Sequence, residues 1–287
     1  MDHALAIDIG GTKLAAGLVT SDGEVVASAT APSRADDAEA LFSVLLALVD
    51  SVGGNGDVLV CGVGCGGPMT AGGEQVSPLN IPAWRDFPLR SRLAAATGLE
   101  TFVDNDAKAL ALGEGWKGTA AGADNFIAMV VSTGVGGGIV LDGRLLDGEA
   151  GNAGHIGHVC VEPEGRVCTC GARGCLEAEA SGTAIAALTG RPAAEAPAEV
   201  IERTGTLVGR GVASVANLLD LPLAVVAGSV ALGFGSPFFA AAQAELDARA
   251  RLSFSRGARI APGGLGKVGG LVGAGAVGWR GLGRLEI

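Results

Sequence analysis

Four residues of this 287-residue chain, His158, Cys168, Cys170 and Cys175, have the types and spacing of a metal site: H-x9-C-x-C-x4-C, with Gly171 and Gly174 turning the chain between ligands. Three thiolates and one imidazole suit tetrahedral zinc, and four protein ligands leave no open position, so such a metal is structural rather than catalytic. Buried or disulfide-linked cysteines are the other reading of the same residues. Cys61, Cys65 and Cys160 lie in or beside apolar strands and are expected in the core.

Two glycine-rich segments have a different chemistry. In Asp8-Ile9-Gly10-Gly11-Thr12-Lys13 the missing Cβ atoms let the backbone turn sharply and bring its N–H groups close to an anion. Asp8 at the strand end is suited to Mg²⁺ through water, and Thr12 and Lys13 add donors. Ser132-Thr133-Gly134-Val135-Gly136-Gly137-Gly138 is a second such loop. A plain hairpin turn accounts for either one alone. Two of them, each between apolar strands and one carrying Asp, point to nucleotide phosphates. Neither has the P-loop spacing, nor the strand-to-helix placement of a dinucleotide fingerprint.

Between these loops, Val103-Asp104-Asn105-Asp106-Ala107 puts three polar side chains at the end of an apolar strand and the start of a helix. A helix N-cap needs one of them. The two left over include a carboxylate that could take a proton from an attacking hydroxyl, a form of catalysis worth about 10² to 10⁴ in rate.

The elements that must position these groups follow from periodicity. Ala4–Ile9 and Leu14–Thr20 read as strands around the first glycine loop, with a hairpin turn at Ser21-Asp22-Gly23 leading into Glu24–Ala31. Leu41–Val52 has helical spacing and ends at Gly53-Gly54. Val58–Val63 and Thr101–Val103 are further strands, and a helix runs from about Asp106 to Trp116. Phe126–Val131 and Ile139–Leu141 flank the second loop and echo the opening unit. Helices at about 176–189 and 206–219 surround a strand at Ala224–Ala227. The echo predicts two related lobes, 1–112 and 113–268, with a last helix over about 269–287 packing back on the first.

Composition narrows the classes. Hydrophobic residues make up 48%, enough for a sizeable core. A net charge of −10 disfavours nucleic acid and anionic membranes, which need clustered Lys and Arg. Leu221–Ala244 carries no charge, but Pro222, Gly228, Gly233, Gly235 and Pro237 break it, so a strand, a turn and a helix start are expected instead of a membrane span. The N-terminus shows no basic stretch leading into an apolar secretory core, so a cytoplasmic location with reduced cysteines is expected.

With DIGGTK at 8–13, NDA at 105–107, STGVGGGIV at 132–140, GHIGH at 154–158 and CTCGARGCLE at 168–177, the chain resembles the ROK family of sugar kinases nearly end to end. The resemblance implies a two-lobed, actin-like (RNase H-like) α/β fold with a cleft between lobes and a structural zinc loop. It implies ATP and Mg²⁺ handled by Asp8, Gly10, Gly11, Thr12, Lys13 and by Thr133, Gly134, Val135, Gly136, Gly137 and Gly138, with Gly228 near adenosine. It implies Asp106 as catalytic base, and sugar contacts from Asn80, Asn105, Asp106, His158 and Glu177. It also implies zinc on the histidine and three cysteines, and a homodimer or higher homo-oligomer. Two segments depart from the family pattern. His155 stands where the family's G-E-x-G-H has its sugar-binding Glu, and the G-x-P-G loop is Gly64-Cys65-Gly66-Gly67-Pro68, leaving Gly67 and His155 as the altered sugar contacts. An imidazole in place of a carboxylate changes which sugar group is satisfied, so ring specificity should respond. The His variant is similar to that of bacterial N-acetylmannosamine kinases; glucose is the alternative substrate. The family also contains sugar-responsive repressors, whose helix-turn-helix precedes the first loop; here that loop starts at Asp8.

Overall fold

The computed structural model describes residues 1–35, 37–53 and 57–287. It divides into two compact units: residues 1–121, 144–153 and 265–287 form the first, and 122–143 with 154–264 form the second. The division differs from 1–112 and 113–268. The helix that begins at Asp106 stays whole with the first unit, and the chain returns to that unit over 144–153 before leaving it again.

In the first unit, β1 (His3–Ile9), β2 (Lys13–Thr20), β3 (Val25–Pro32), β4 (Val58–Cys65) and β5 (Thr101–Asn105) form a sheet in the order β3-β2-β1-β4-β5. The first three pair antiparallel, and β1, β4 and β5 run parallel. β1 and β4 are apolar on both faces, as strands covered on both sides must be. One cover is α1 (Ala38–Val52), whose N-terminus is capped by Asp37 accepting from the Ala40 N–H at 2.8 Å. Its apolar stripe, Leu41, Phe42, Leu45 and Leu48, joins Trp84 and Phe87, whose rings stack at 4.5 Å, in one core. The expected end of this helix falls at Gly53; Gly54 lies outside the described residues. Helix α2 (Leu89–Thr97) precedes β5, and α3 (Asp106–Lys117) follows it without a break.

The second unit opens with β6 (Phe126–Val131) and β7 (Val135–Leu141), and the two-residue β8 (Arg144–Leu145) then leads back into the first. Short helices α4 (Leu176–Ala180) and α5 (Gly182–Thr189) are separate, because Ser181 caps the second by accepting from the Ala184 N–H at 3.1 Å. Helix α6 (Ala198–Leu219) starts earlier than its predicted 206. β9 (Leu223–Ala227), α7 (Ser229–Phe234), α8 (Ser236–Arg249) and β10 (Arg259–Pro262) complete the unit. The uncharged stretch at 221–244 is thus a strand and two helices, and among the described residues no helix is long and apolar enough to cross a membrane. The strands pair in the order β10-β9-β6-β7, antiparallel between β6 and β7 and parallel elsewhere. This repeats the β5-β4-β1-β2 arrangement of the first unit.

The last helix, α9 (Gly269–Gly281), belongs to the first unit and covers its sheet opposite α1. It lies so close to β4 that a Cβ on Gly62 would strike the Ala274 carbonyl, so only glycine permits this backbone-on-backbone approach.

Candidate active site

Parallel register brings the carboxyl ends of β1, β4 and β5 level: Asp8 pairs with Gly64, Gly64 with Asp104, and Cys65 with Asn105. In open α/β sheets this edge is where ligands bind. The three polar residues that open α3 divide the work. Asn105 is the cap, its Oδ1 accepting from the Ala107 N–H at 3.0 Å. Asp104 is paired with Lys108 at 2.9 Å. Asp106, committed neither to the cap nor to an ion pair, has Oδ1 on the Ala107 N–H at 2.9 Å. Its Oδ2 lies on the side of Gly66, 4.0 Å from where a Cβ there would stand.

Asp8 and Asp106 are both half-buried, and Asp8 feels the charge of Asp106. Burial pushes the Asp8 carboxyl up to about 6, the charge of Asp106 adds to the rise, and Lys13 opposes it. Burial likewise raises Asp106, partly offset by the backbone N–H of Ala107. The buried Cys65 thiol, on the strand between β1 and β5, is raised by burial first and then by the charges of Asp106 and Asp8. Asp8 also faces α9: a Cβ on Gly270 would run into its carboxylate. Two carboxyls reluctant to ionise alone suit a divalent cation at one and a proton acceptor at the other.

The first glycine turn is tight, with the Gly10 N–H donating to the Lys13 carbonyl at 3.0 Å. Thr12 and Lys13 are exposed. Gly11 packs on Asn80, where an added Cβ would come within 2.6 Å of the Asn80 Cβ. Asn80 is in turn tied to Gly67, because the Leu79 N–H donates to the Gly67 carbonyl at 3.2 Å. The predicted sugar contacts Gly67 and Asn80 therefore share one loop beside the first turn.

In the second unit the predicted loop 132–138 is shorter than expected. Only Ser132, Thr133 and Gly134 form the turn; Val135 to Gly138 belong to β7, pairing with Val131 to Ala128. The glycine at the middle of that strand, Gly137, makes room for the segment that crosses it. Gly154, at φ +100°, lies where a side chain would strike the Gly137 carbonyl, and a Cβ on Gly137 would press on Ile156 at 3.0 Å. His155 and His158 thus ride on β7, their rings 6.0 Å apart, with His155 exposed. The turn itself is fixed from α5, whose Gly182 N–H donates to the Ser132 carbonyl at 2.7 Å, and from α7, where Ser229 shares a 2.9 Å hydroxyl hydrogen bond with Ser132. Gly228 precedes that serine at φ +100°. Glu177 meets the same turn from α4, accepting the Val135 N–H at 2.9 Å.

The cysteine loop closes as its spacing predicts. The ligand atoms of His158, Cys168, Cys170 and Cys175 all lie within 4.8 Å of one another. Cys168 Sγ is 3.7 Å from His158 Nδ1, and Cys170 Sγ is 3.8 Å from Cys175 Sγ. Zinc at about 2.3 Å from two sulfurs with tetrahedral angles separates them by about 3.8 Å. The donor set and its spacing therefore fit zinc. Cys160, expected in the core, is exposed instead: it sits on an isolated antiparallel bridge to Cys175 at the edge of the loop, not inside a sheet. Cys61 and Cys65 are buried.

Sequence reasoning missed Lys108, which the structure buries against Asp104 and Asp147. A cation in the first turn of a helix, where the dipole disfavours it, was the available signal.

Residues 4–278 match the ROK family. The chain is 38% identical to the N-acetylmannosamine kinase of Escherichia fergusonii over 80% of this chain and 84% of that one. It is 39% identical to the glucokinase of Thermotoga maritima over 63% of this chain, a match spanning 58% of that relative. Among solved structures, a ROK family glucokinase from Streptomyces griseus in complex with glucose and AMPPNP superposes with a TM-score of 0.86 at 29% identity, covering 97% of this chain and 99% of that one.

Proposed function

Because the chain belongs to the ROK family of sugar kinases, we propose that it transfers the terminal phosphoryl group of ATP to the C6 hydroxyl of N-acetylmannosamine. The observation that carries the catalytic part is the Asp104-Asn105-Asp106 turn: cap and ion pair use the first two side chains, which leaves a half-buried carboxylate at the strand edge beside Asp8. Asp106 takes the hydroxyl proton as the oxygen attacks phosphorus. Its raised affinity for a proton helps a base, whose optimum lies near the working pH. Asp8 would hold Mg²⁺ through water, supplying charge neutralisation for the phosphates. The turn amides of Gly11 and Thr12 and of Thr133 and Gly134 orient phosphate oxygens, and positioning of this kind supplies most of the rate in phosphoryl transfer.

Zinc held by His158, Cys168, Cys170 and Cys175 would fix the loop from which α4 starts. Cys175 is the N-cap residue of that helix, and Glu177 reaches the second turn from it. Asn80, Gly67, Asn105, His155, His158 and Glu177 are assigned to the sugar. The N-acetyl preference rests on His155, which offers a neutral donor or acceptor where a carboxylate could only accept. Glucose is the second reading, favoured by the similarity to the two glucokinases.

Coupled ADP release over N-acetylmannosamine, N-acetylglucosamine, mannose and glucose tests the choice. The highest kcat/KM is expected for N-acetylmannosamine; a clear preference for glucose would reverse the order.

A further inference from the structure

Lys108 is 2% exposed and occupies the third residue of α3, where the positive end of the helix dipole repels a cation. A buried ammonium survives only if its hydrogens find acceptors. Here three are supplied: Asp104 Oδ1 at 2.9 Å, Asp147 Oδ1 at 2.7 Å and the Gly151 carbonyl at 3.2 Å. Asp147 is held further by Arg280 of α9 at 3.3 Å.

One of these acceptors leads to the candidate base. Asp104 Oδ1 also accepts the Asn105 backbone N–H at 2.8 Å, so the atom that Lys108 fixes in turn fixes the residue before Asp106. Asn105 Oδ1 and Asp106 Oδ1 then share the Ala107 N–H, which closes the turn. The other arm clamps residues 147–151 onto the same helix.

We infer that Lys108 is a positioning residue for phosphoryl transfer: it locks the Asp104-Asn105-Asp106 turn through Asp104, and braces it through Asp147 and Gly151. The inference rests on Asp106 being the base. Without the ammonium, Asp104 becomes a half-buried carboxylate with no cation partner, which draws the turn toward water or toward any cation bound at Asp8. Misplacing a reacting group by an ångström costs about a hundredfold in rate.

The test is steady-state kinetics with ATP and the best sugar, normalised to folded protein. Lys108→Met should lower kcat by about ten- to a hundredfold and leave the KM for ATP within about twofold. Adding Asp104→Asn, which removes the orphaned charge, should recover several-fold of that loss, a rescue that a purely structural lysine would not show. If Lys108→Met proves too unstable to assay, Asp147→Ala removes one brace from the exposed side and should lower kcat about threefold, less than the full loss because two acceptors remain. Unchanged kcat in the variants with only a lower Tm, or no recovery in the double variant, overturns the inference. Those outcomes leave the base assignment standing if Asp106→Asn is inactive; an active Asp106→Asn removes the base assignment itself.

Discussion

The two units build the same strand–turn–strand device and furnish it with opposite chemistry. In the first, β1 runs into a turn backed by carboxylates: Asp8 in the strand and Asp106 beside it, both pushed toward the neutral form by burial. In the second, β6 runs into a turn backed by hydroxyls and amides: Ser132 and Ser229, Thr183 donating to the Thr133 carbonyl at 2.9 Å, and one carboxylate, Glu177, already engaged with a backbone N–H. One topology thus carries a turn backed by carboxylates and a turn backed by hydroxyls and amides, which the proposed function uses as a cation-and-base end and an anion end. The difference arises from what arrives around each turn. Around the first come the register of β4 and β5 and the glycines of α9. Around the second come α4, α5 and α7, with α4 anchored by the cysteine loop.

If the first turn carries the chemistry, the largest effect belongs to Asp106. Asp106→Asn should retain sugar binding by calorimetry and lose about 10² to 10⁴ in kcat. Near-normal turnover would leave the two turns chemically equal. The second unit should respond to metal instead. Analysis of purified protein should find about one zinc per chain, and its removal by a chelator should lower Tm by on the order of 10 °C, the size expected for a tightly bound structural ligand. Loss of zinc without change in Tm would detach the cysteine loop from the stability of its unit.

How much of this was legible in the sequence depended on how local each signal was. His158 and its three cysteines sit within eighteen residues and turn on glycines, so spacing alone brought them together. Asp106 became a candidate because a cap uses only one polar residue, yet sequence left two to choose from. Only the structure shows Lys108 claiming Asp104. Gly137, read as part of the phosphate loop, misled for a physical reason. Glycine marks both phosphate turns and places where another segment crosses a strand, and the crossing residue, Gly154, is distant in sequence. The return of 144–153 to the first unit was hidden too, since Asp147 looks like any loop carboxylate until Lys108 and Arg280 meet it.

A pH experiment sharpens the contrast at Asp8. Its folded-state pKa of about 6 lies above the ordinary aspartate value of 3.8, so between those values the folded protein binds a proton that the unfolded chain has released. Stability from this group is therefore present at low pH and is lost as pH rises toward 6, the reverse of an ion-paired aspartate. Without nucleotide or metal, Asp8→Asn should stabilise the protein at pH 7 by up to about 3 kcal/mol and flatten that slope, measured by urea unfolding from about pH 4 to about pH 7. An unchanged slope would remove the claim that the first turn holds its carboxylate at a cost.

The smallest effect discriminates the turns most directly, because the same substitution meets different neighbours. An alanine at Gly11 puts a Cβ within 2.6 Å of the Asn80 Cβ, the root of a side chain whose loop is pinned by Gly67, so that loop must move. At Gly134 the added carbon meets Glu177 Oε2 at 2.7 Å, the tip of a side chain that can swing aside by giving up the Val135 N–H. Overpacking against a fixed group costs about 1–3 kcal/mol, whereas a flexible tip yields for the loss of about one hydrogen bond. Gly11→Ala should therefore raise the sugar KM about tenfold or more, and Gly134→Ala should change the KM for ATP only about threefold. The reverse ranking would mean that the second turn, not the first, is the rigid partner of the substrate.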